Sequence, residues 1–277
     1  MSSEHLTLYP VREVERLAIG PDGAPALLVR PNAPGEHPGA VLQHGYASEK
    51  AALLPFARQL AALGFVVLLA DAWGHGERFP ASGPNWLTDM HADYAMEVIQ
   101  HTVDDVHAGL TTLAAQPDVR PDALLVGGFS LGAIVALIAG TEDSRVAGVA
   151  SLAGSSLPDL LGIKRFNDRE PSAVTAAYGL AHDAAARIAR LAPRPLLLSH
   201  GTRDDLVPVA GTLRLYELAR PAYAAQPDHL TLQLYEHGHD VGEQQVRDAV
   251  SFIARLFLAP AGAESDDEQP LARASGD

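Results

Sequence analysis

Three kinds of side chain in this sequence could together activate a hydroxyl and attack a carbonyl. Ser130 stands in Gly128-Phe129-Ser130-Leu131-Gly132, directly after the apolar ALLVGG and directly before the apolar LGAIVALIAG. Asp204 and Asp205 follow PLLLSHG, and His237 and His239 close LTLQLYEHGH. A serine hydroxyl is a weak nucleophile until a base takes its proton, and an imidazole needs a third group to fix its tautomer. In an open α/β sheet such groups gather beyond the C-terminal ends of the strands. Serine, acid and histidine occur here in that chain order, each just past an apolar run.

The serine has the sharpest context. A strand that turns at once into a helix strains the residue at its tip and brings backbone close on both sides. Gly128 and Gly132, two before and two after, leave room for that approach. The turn lifts the hydroxyl out of the sheet and places it at a helix N-terminus, where developing negative charge is favoured. For the base, two candidates compete. Alternation along TLQLYEH puts His237 in the strand, on the face of Thr231, Gln233 and Tyr235. Gly238 then breaks the strand, so His239 is the first side chain on the loop and is better placed to swing toward Ser130. Asp240 has a separate explanation: with Glu243 it forms Asp-x-x-Glu, a capping box for the last helix.

The elements that must position these groups follow from the pattern. Strand-length apolar runs occur at 25–30, 39–45, 65–71, 123–128, 146–154, 195–201 and 230–238. The central ones are continuous rather than alternating, as expected when helices cover both faces. Helical patterns lie between them at 55–64, 89–117, 131–140 and 243–258, the last with Val246, Val250, Ile253 and Phe257 on one stripe. Strand and helix in alternation predict a doubly wound, mostly parallel α/β sheet. The segment VREVERLAIGPDGAPALLVR predicts a hairpin around Pro21-Asp22-Gly23, adding antiparallel strands at one edge. Residues 155–192 are too long for a plain crossover and are expected to form a small cap. One domain is expected over residues 1–259. The stretch 260–277 holds Glu264, Asp266, Asp267, Glu268 and Asp277 against one Arg273 and no apolar period, which predicts a disordered acidic tail.

Composition narrows the chemistry. There is no cysteine, which removes disulfides, thiolate metal sites and a cysteine nucleophile. The formal net charge of −14 argues against nucleic acid or an anionic membrane as partner. No stretch approaches the roughly 18–20 uninterrupted apolar residues of a membrane span. The first residues lack the basic-then-apolar pattern of an export signal, so a cytoplasmic location is expected.

The motifs GGFSLGA, SHGTRDDLVP and HGH, with QHGYAS and DAWGHGER upstream, resemble the α/β-hydrolase superfamily over about residues 25–258. The likeness is to its dienelactone-hydrolase and prolyl-oligopeptidase-like branch and to small bacterial carboxylesterases. That resemblance implies the α/β-hydrolase fold and a serine esterase without cofactor or metal, acting on a small-molecule ester. The pattern Gly-x-x-Asp-x-x-Val-Pro falls on Gly201, Asp204, Val207 and Pro208, which makes Asp204 the acid and leaves Asp205 on a solvated turn. The Gly-His step falls on Gly238-His239. The oxyanion donors it implies are the backbone N–H groups of Leu131, after the nucleophile, and Tyr46, in the loop after the third strand. One departure stands out: dienelactone hydrolase uses a cysteine nucleophile where this chain has Ser130.

Lesser candidates lie nearby. Trp73 and Arg78, in DAWGHGERFP, are candidate pocket residues, Trp73 as a wall and Arg78 as a partner for a substrate carboxylate. The competing roles are a buried loop anchor and an ion pair. Lys164, Arg165 and Arg169 in the cap could meet an anion or simply face solvent. His44 reads as structural. His101, Asp104, Asp105 and His107 read as exposed helix positions and not as a metal site. Two rival functions remain: a peptidase or amidase using the same triad, and a non-catalytic binding protein on a hydrolase scaffold.

Overall fold

The computed structural model describes residues 7–79, 91–161 and 171–258. Among the described residues eight strands form one sheet: β1 (Glu15–Ile19), β2 (Ala24–Val29), β3 (His37–Gln43), β4 (Val66–Ala70), β5 (Val119–Phe129), β6 (Val146–Leu152), β7 (Leu196–Gly201) and β8 (Leu230–Tyr235). Their spatial order is β1-β2-β4-β3-β5-β6-β7-β8. The hairpin β1–β2 is antiparallel, as is β2 against β4, and every later pair is parallel. This is the mostly parallel, doubly wound sheet with an antiparallel N-terminal edge that the sequence predicts.

Every residue of β3, β4 and β7 is buried, which is why their sequences run apolar without alternation. The helices sort onto two faces. α1 (Leu54–Ala62) and α8 (Glu243–Phe257) pack on one, around Phe56, Leu60, Leu69, Leu125 and Phe252. α2 (Ala92–Ala114), α3 (Leu131–Glu142) and α7 (Val209–Ala219) cover the other, around Leu68, Val103, Leu110, Val135 and Leu215. All but the final residue of α3 are buried, so no polar stripe is needed. On α8 the expected stripe is shifted: Gln245, Ala249, Phe252, Ile253 and Ala254 are buried, while Val246, Val250 and Phe257 flank them half-buried.

Three short helices, α4 (Leu157–Leu161), α5 (Ala173–Ala181) and α6 (Ala184–Arg187), occupy the described parts of 155–192. Ser172 caps α5, and its N–H also donates to Asp93 Oδ1 at 2.9 Å, tying the segment to the first turn of α2. Lys164, Arg165 and Arg169 lie outside the described residues, as does 260–277. Among the described residues no helix is long and apolar enough to cross a membrane.

One buried carboxylate fixes the loops at the active edge. Asp71 follows β4 and is fully buried. Its Oδ1 accepts from the Lys50 N–H at 2.9 Å, and its Oδ2 accepts from the Glu77 N–H at 3.0 Å and from the buried Lys50 ammonium. Burial works against this charge, but the Lys50 ammonium and the two amides outweigh it and hold the carboxyl below its ordinary range. The segment after β3 and the loop 72–79 are thus joined at one point. Replacing Asp71 by Asn leaves the buried Lys50 ammonium with Glu77 alone and should cost about 3 kcal/mol in urea denaturation. Glu77→Gln, at the exposed end of the same cluster, should lower the urea midpoint much less than Asp71→Asn does.

Candidate active site

The site grows from the turn between β5 and α3. Ser130 has φ 54° and ψ −116°, a left-handed backbone that a residue with a Cβ adopts only when its surroundings force it. They do. The Ser130 N–H donates to the Leu152 carbonyl of β6 at 2.9 Å, while the Ser130 carbonyl accepts from the Ala133 and Ile134 N–H groups at 3.0 and 3.1 Å. A Cβ on Gly132 would stand 2.0 Å from the Gln43 carbonyl oxygen, and one on Gly128 would stand 2.5 Å from the same atom. Only glycine fits at either position, because β3 passes directly against the turn.

Two further strand ends bring the partners in. His239 Nε2 lies 2.9 Å from Ser130 Oγ, and His239 Nδ1 lies 2.7 Å from Asp204 Oδ2. Nδ1 faces a carboxylate and must donate, which leaves the Nε2 lone pair to accept the serine proton. Asp204 is held in turn: its Oδ1 accepts from the Leu206 and Val207 N–H groups at 3.0 and 2.8 Å. Ser130 and Asp204 are buried, and the His239 ring packs 5.0 Å from that of Phe129. The geometry can pass a proton from hydroxyl to imidazole while a fixed anion steadies the ring.

The neighbours of the relay take other roles. Asp205 is exposed. β8 ends at Tyr235, so His237 lies beyond the strand and not within it. It still stacks on Tyr235, and its Nδ1 lies 2.9 Å from Asp240 Oδ1. Asp240 therefore does not cap the last helix. Gly242 is the N-cap of α8, because Asp240 sits two residues too early and is engaged by His237.

Tyr46 lies on the loop after β3, beside Gly45, where a Cβ would stand 3.4 Å from the Ser130 Cβ. Leu131 is the first residue of α3, whose opening N–H groups have no acceptor within the helix. His44 is buried; its Nδ1 donates to the Gly45 carbonyl at 2.7 Å and its Nε2 accepts from the Ala72 N–H at 2.9 Å. Burial lowers it to about 4, so it is a neutral brace between two loops.

Of the two roles open to Arg78, the ion pair is the one found. Arg78 is ion-paired with Asp105, its Nη1 also donates to the Asp71 carbonyl at 3.2 Å, and its guanidinium lies 4.9 Å over the Trp73 ring. Trp73 is half-buried and stacks on His101 at 4.3 Å, which makes it a loop anchor. The helix positions read as exposed also need correction: Asp105 is buried, because Arg78 neutralises it there, and His101 and His107 are half-buried, leaving Asp104 exposed. Among the described residues no three His, Asp or Glu side chains gather as a metal site.

Two features escape sequence reasoning. An apolar cavity of about 750 Å³ lies between the starts of α1 and α8, lined by Leu42, Gly45, Leu53, Phe56, Phe129 and Val246 among others. It flanks the relay and does not contain it, since Phe129 stands between. The second is His200, on β7, buried beside Asp204. In sequence it reads as one more position of an apolar strand.

With the geometry in place, likeness to known proteins can be weighed. Residues 55–259 match the model of the prolyl oligopeptidase family. The chain is 28% identical over 189 residues to the esterase YjfP of Escherichia coli (strain K12), covering 65% of this chain and 74% of that protein. The crystal structure of TT1662 from Thermus thermophilus superposes with a TM-score of 0.73 at 26% identity, over 90% of this chain and 99% of that one. An acetyl xylan esterase from Paenibacillus sp. R4 shares the fold at 20% identity, with a TM-score of 0.65 over 90% of this chain and 89% of that one. A family match across most of the chain, with the α/β-hydrolase sheet beneath it, places this protein in the prolyl oligopeptidase family of serine-type α/β hydrolases.

Proposed function

We propose that the protein is a serine carboxylesterase, cleaving esters with small or medium acyl chains through an acyl-enzyme. The observation that carries this reading is the hydrogen-bonded line from Ser130 Oγ through His239 to Asp204. Ser130 Oγ attacks the ester carbonyl carbon as His239 Nε2 takes its proton. The C=O electron pair moves onto the oxygen, which accepts hydrogen bonds from the Leu131 and Tyr46 N–H groups. Collapse expels the alcohol, which leaves with the proton from Nε2. A water then attacks the acyl-enzyme, giving a proton to His239, and Ser130 leaves with that proton as the acid is released. Asp204 stays ionised throughout and stabilises the imidazolium. No step calls for a metal or cofactor.

The esterase activity named for YjfP supports an ester substrate. Family membership supports a second reading, an amidase or peptidase using the same residues. Hydrolysis of p-nitrophenyl esters from acetate to decanoate, set against aminoacyl p-nitroanilides, separates the two. Ester turnover with inert anilides is the expected result, and the reverse would make the protein a peptidase.

In the same assay Ser130→Ala should lower kcat by about 10⁶ and Asp204→Asn by about 10⁴, both with intact folding. Equal inertness of wild type and Ser130→Ala toward all esters would remove the esterase reading. Phe129 is the ring between the nucleophile and the apolar cavity. Phe129→Ala should open that volume and raise the ratio of octanoate to acetate turnover by about tenfold. An unchanged ratio would mean that the cavity takes no acyl chain.

A further inference from the structure

The Asp204 carboxylate has a second imidazole against it. His200 comes from β7, four residues earlier, and its side chain is fully buried. Its Nε2 lies 3.2 Å from Asp204 Oδ2, the same oxygen that receives His239 Nδ1 at 2.7 Å. The same Nε2 lies 2.8 Å from the Val207 carbonyl. Both of these neighbours can only accept. A lone pair on Nε2 would face two lone pairs, so the proton must sit on Nε2.

The other nitrogen agrees. His200 Nδ1 lies 2.6 Å from Thr212 Oγ1, on α7. That hydroxyl has one proton and two acceptors in reach, Nδ1 and the Gly154 carbonyl at 2.9 Å. With the ring neutral, Nδ1 takes it. Burial keeps the ring neutral: it pulls the imidazole below its ordinary range even with a carboxylate alongside.

We propose that His200 is a positioning residue of the relay: its one Nε2–H, anchored on the Val207 carbonyl at 2.8 Å, is shared with Asp204 Oδ2 at 3.2 Å and so helps fix the plane of the carboxylate that orients His239. Asp204 accepts from three donors, the Leu206 and Val207 amides on Oδ1 and His239 on Oδ2, and the shared His200 N–H lies 3.2 Å from Oδ2 as well. The backbone amides alone leave the carboxylate free to rock about Oδ1. The two imidazoles set against Oδ2 oppose that rotation, so Oδ2 stays on the His239 Nδ1 axis. This inference rests on the reading of Ser130, His239 and Asp204 as a working triad.

The test replaces the donor while keeping the bulk. His200→Gln can hold an amide N–H where Nε2 stands, and His200→Met fills similar space without one. The readout is covalent labelling of Ser130 by a fluorophosphonate, which depends on nucleophile activation and needs no knowledge of the substrate. His200→Met should lower the maximal labelling rate by about tenfold, with half-saturating concentration unchanged within twofold, and His200→Gln should recover most of it. Equal rates for wild type and His200→Met, or equal losses in both variants, overturn the proposal. Nitrogen-15 spectra of histidine-labelled wild type give a measurement independent of variant folding. They should show His200 protonated on Nε2 and bare on Nδ1, and the opposite tautomer overturns the assignment. Failure of wild type to label at all strikes the hydrolase reading instead, and the spectra still decide where the His200 proton lies.

Discussion

The site depends on one steric constraint: β3 runs so close beneath the nucleophile turn that the Gln43 carbonyl oxygen leaves no room for a side chain at Gly128 or Gly132. That approach lets the chain reverse from β5 into α3 within one residue. The reversal forces Ser130 into a left-handed conformation, and the hydrogen bond to Leu152 keeps it there. Strain of this kind costs on the order of 1–3 kcal/mol and lasts only where the surroundings over-determine it. A buried helix on one side and a central strand on the other do so. The hydroxyl therefore projects with its direction already set, and the histidine and acid need only arrive.

Around that point the loops are fastened to each other. His44 links the segment after β3 to Ala72, and Asp71 links Lys50 to Glu77. Arg78 spans Asp71, Asp105 and the face of Trp73. Polar residues at an active edge invite functional readings, yet most of these are neutralised in buried pairs that hold the Tyr46 loop in place.

Much of this was legible in the sequence, for a physical reason. Strand ends in a parallel sheet are forced to one edge, so Ser130, Asp204 and His239 converge once the strand order is right, and their residue types do the rest. Glycine spacing around Ser130 reported a backbone contact before any coordinate was known. The failures share a cause too. Asp105 and Asp240 have roles set by partners 27 and three residues away, Arg78 and His237, that only the fold brings together. His200 and the cavity behind Phe129 were invisible because each depends on what lies across a gap, which no local pattern records.

The position of β8 has a consequence of its own. Among the described residues it is an edge strand paired only with β7, and most of its residues are half-exposed. The Tyr235 hydroxyl, bonded to Asp248 at 2.7 Å, is one of the threads joining it to α8. His239 is thus mounted on the rim of the molecule, while Ser130 is anchored at its centre. Local opening takes less free energy at a rim than in a core. On warming, the histidine should disengage while β3, β5 and α3 remain folded, so the working temperature of this protein is set by its margin and not by its core.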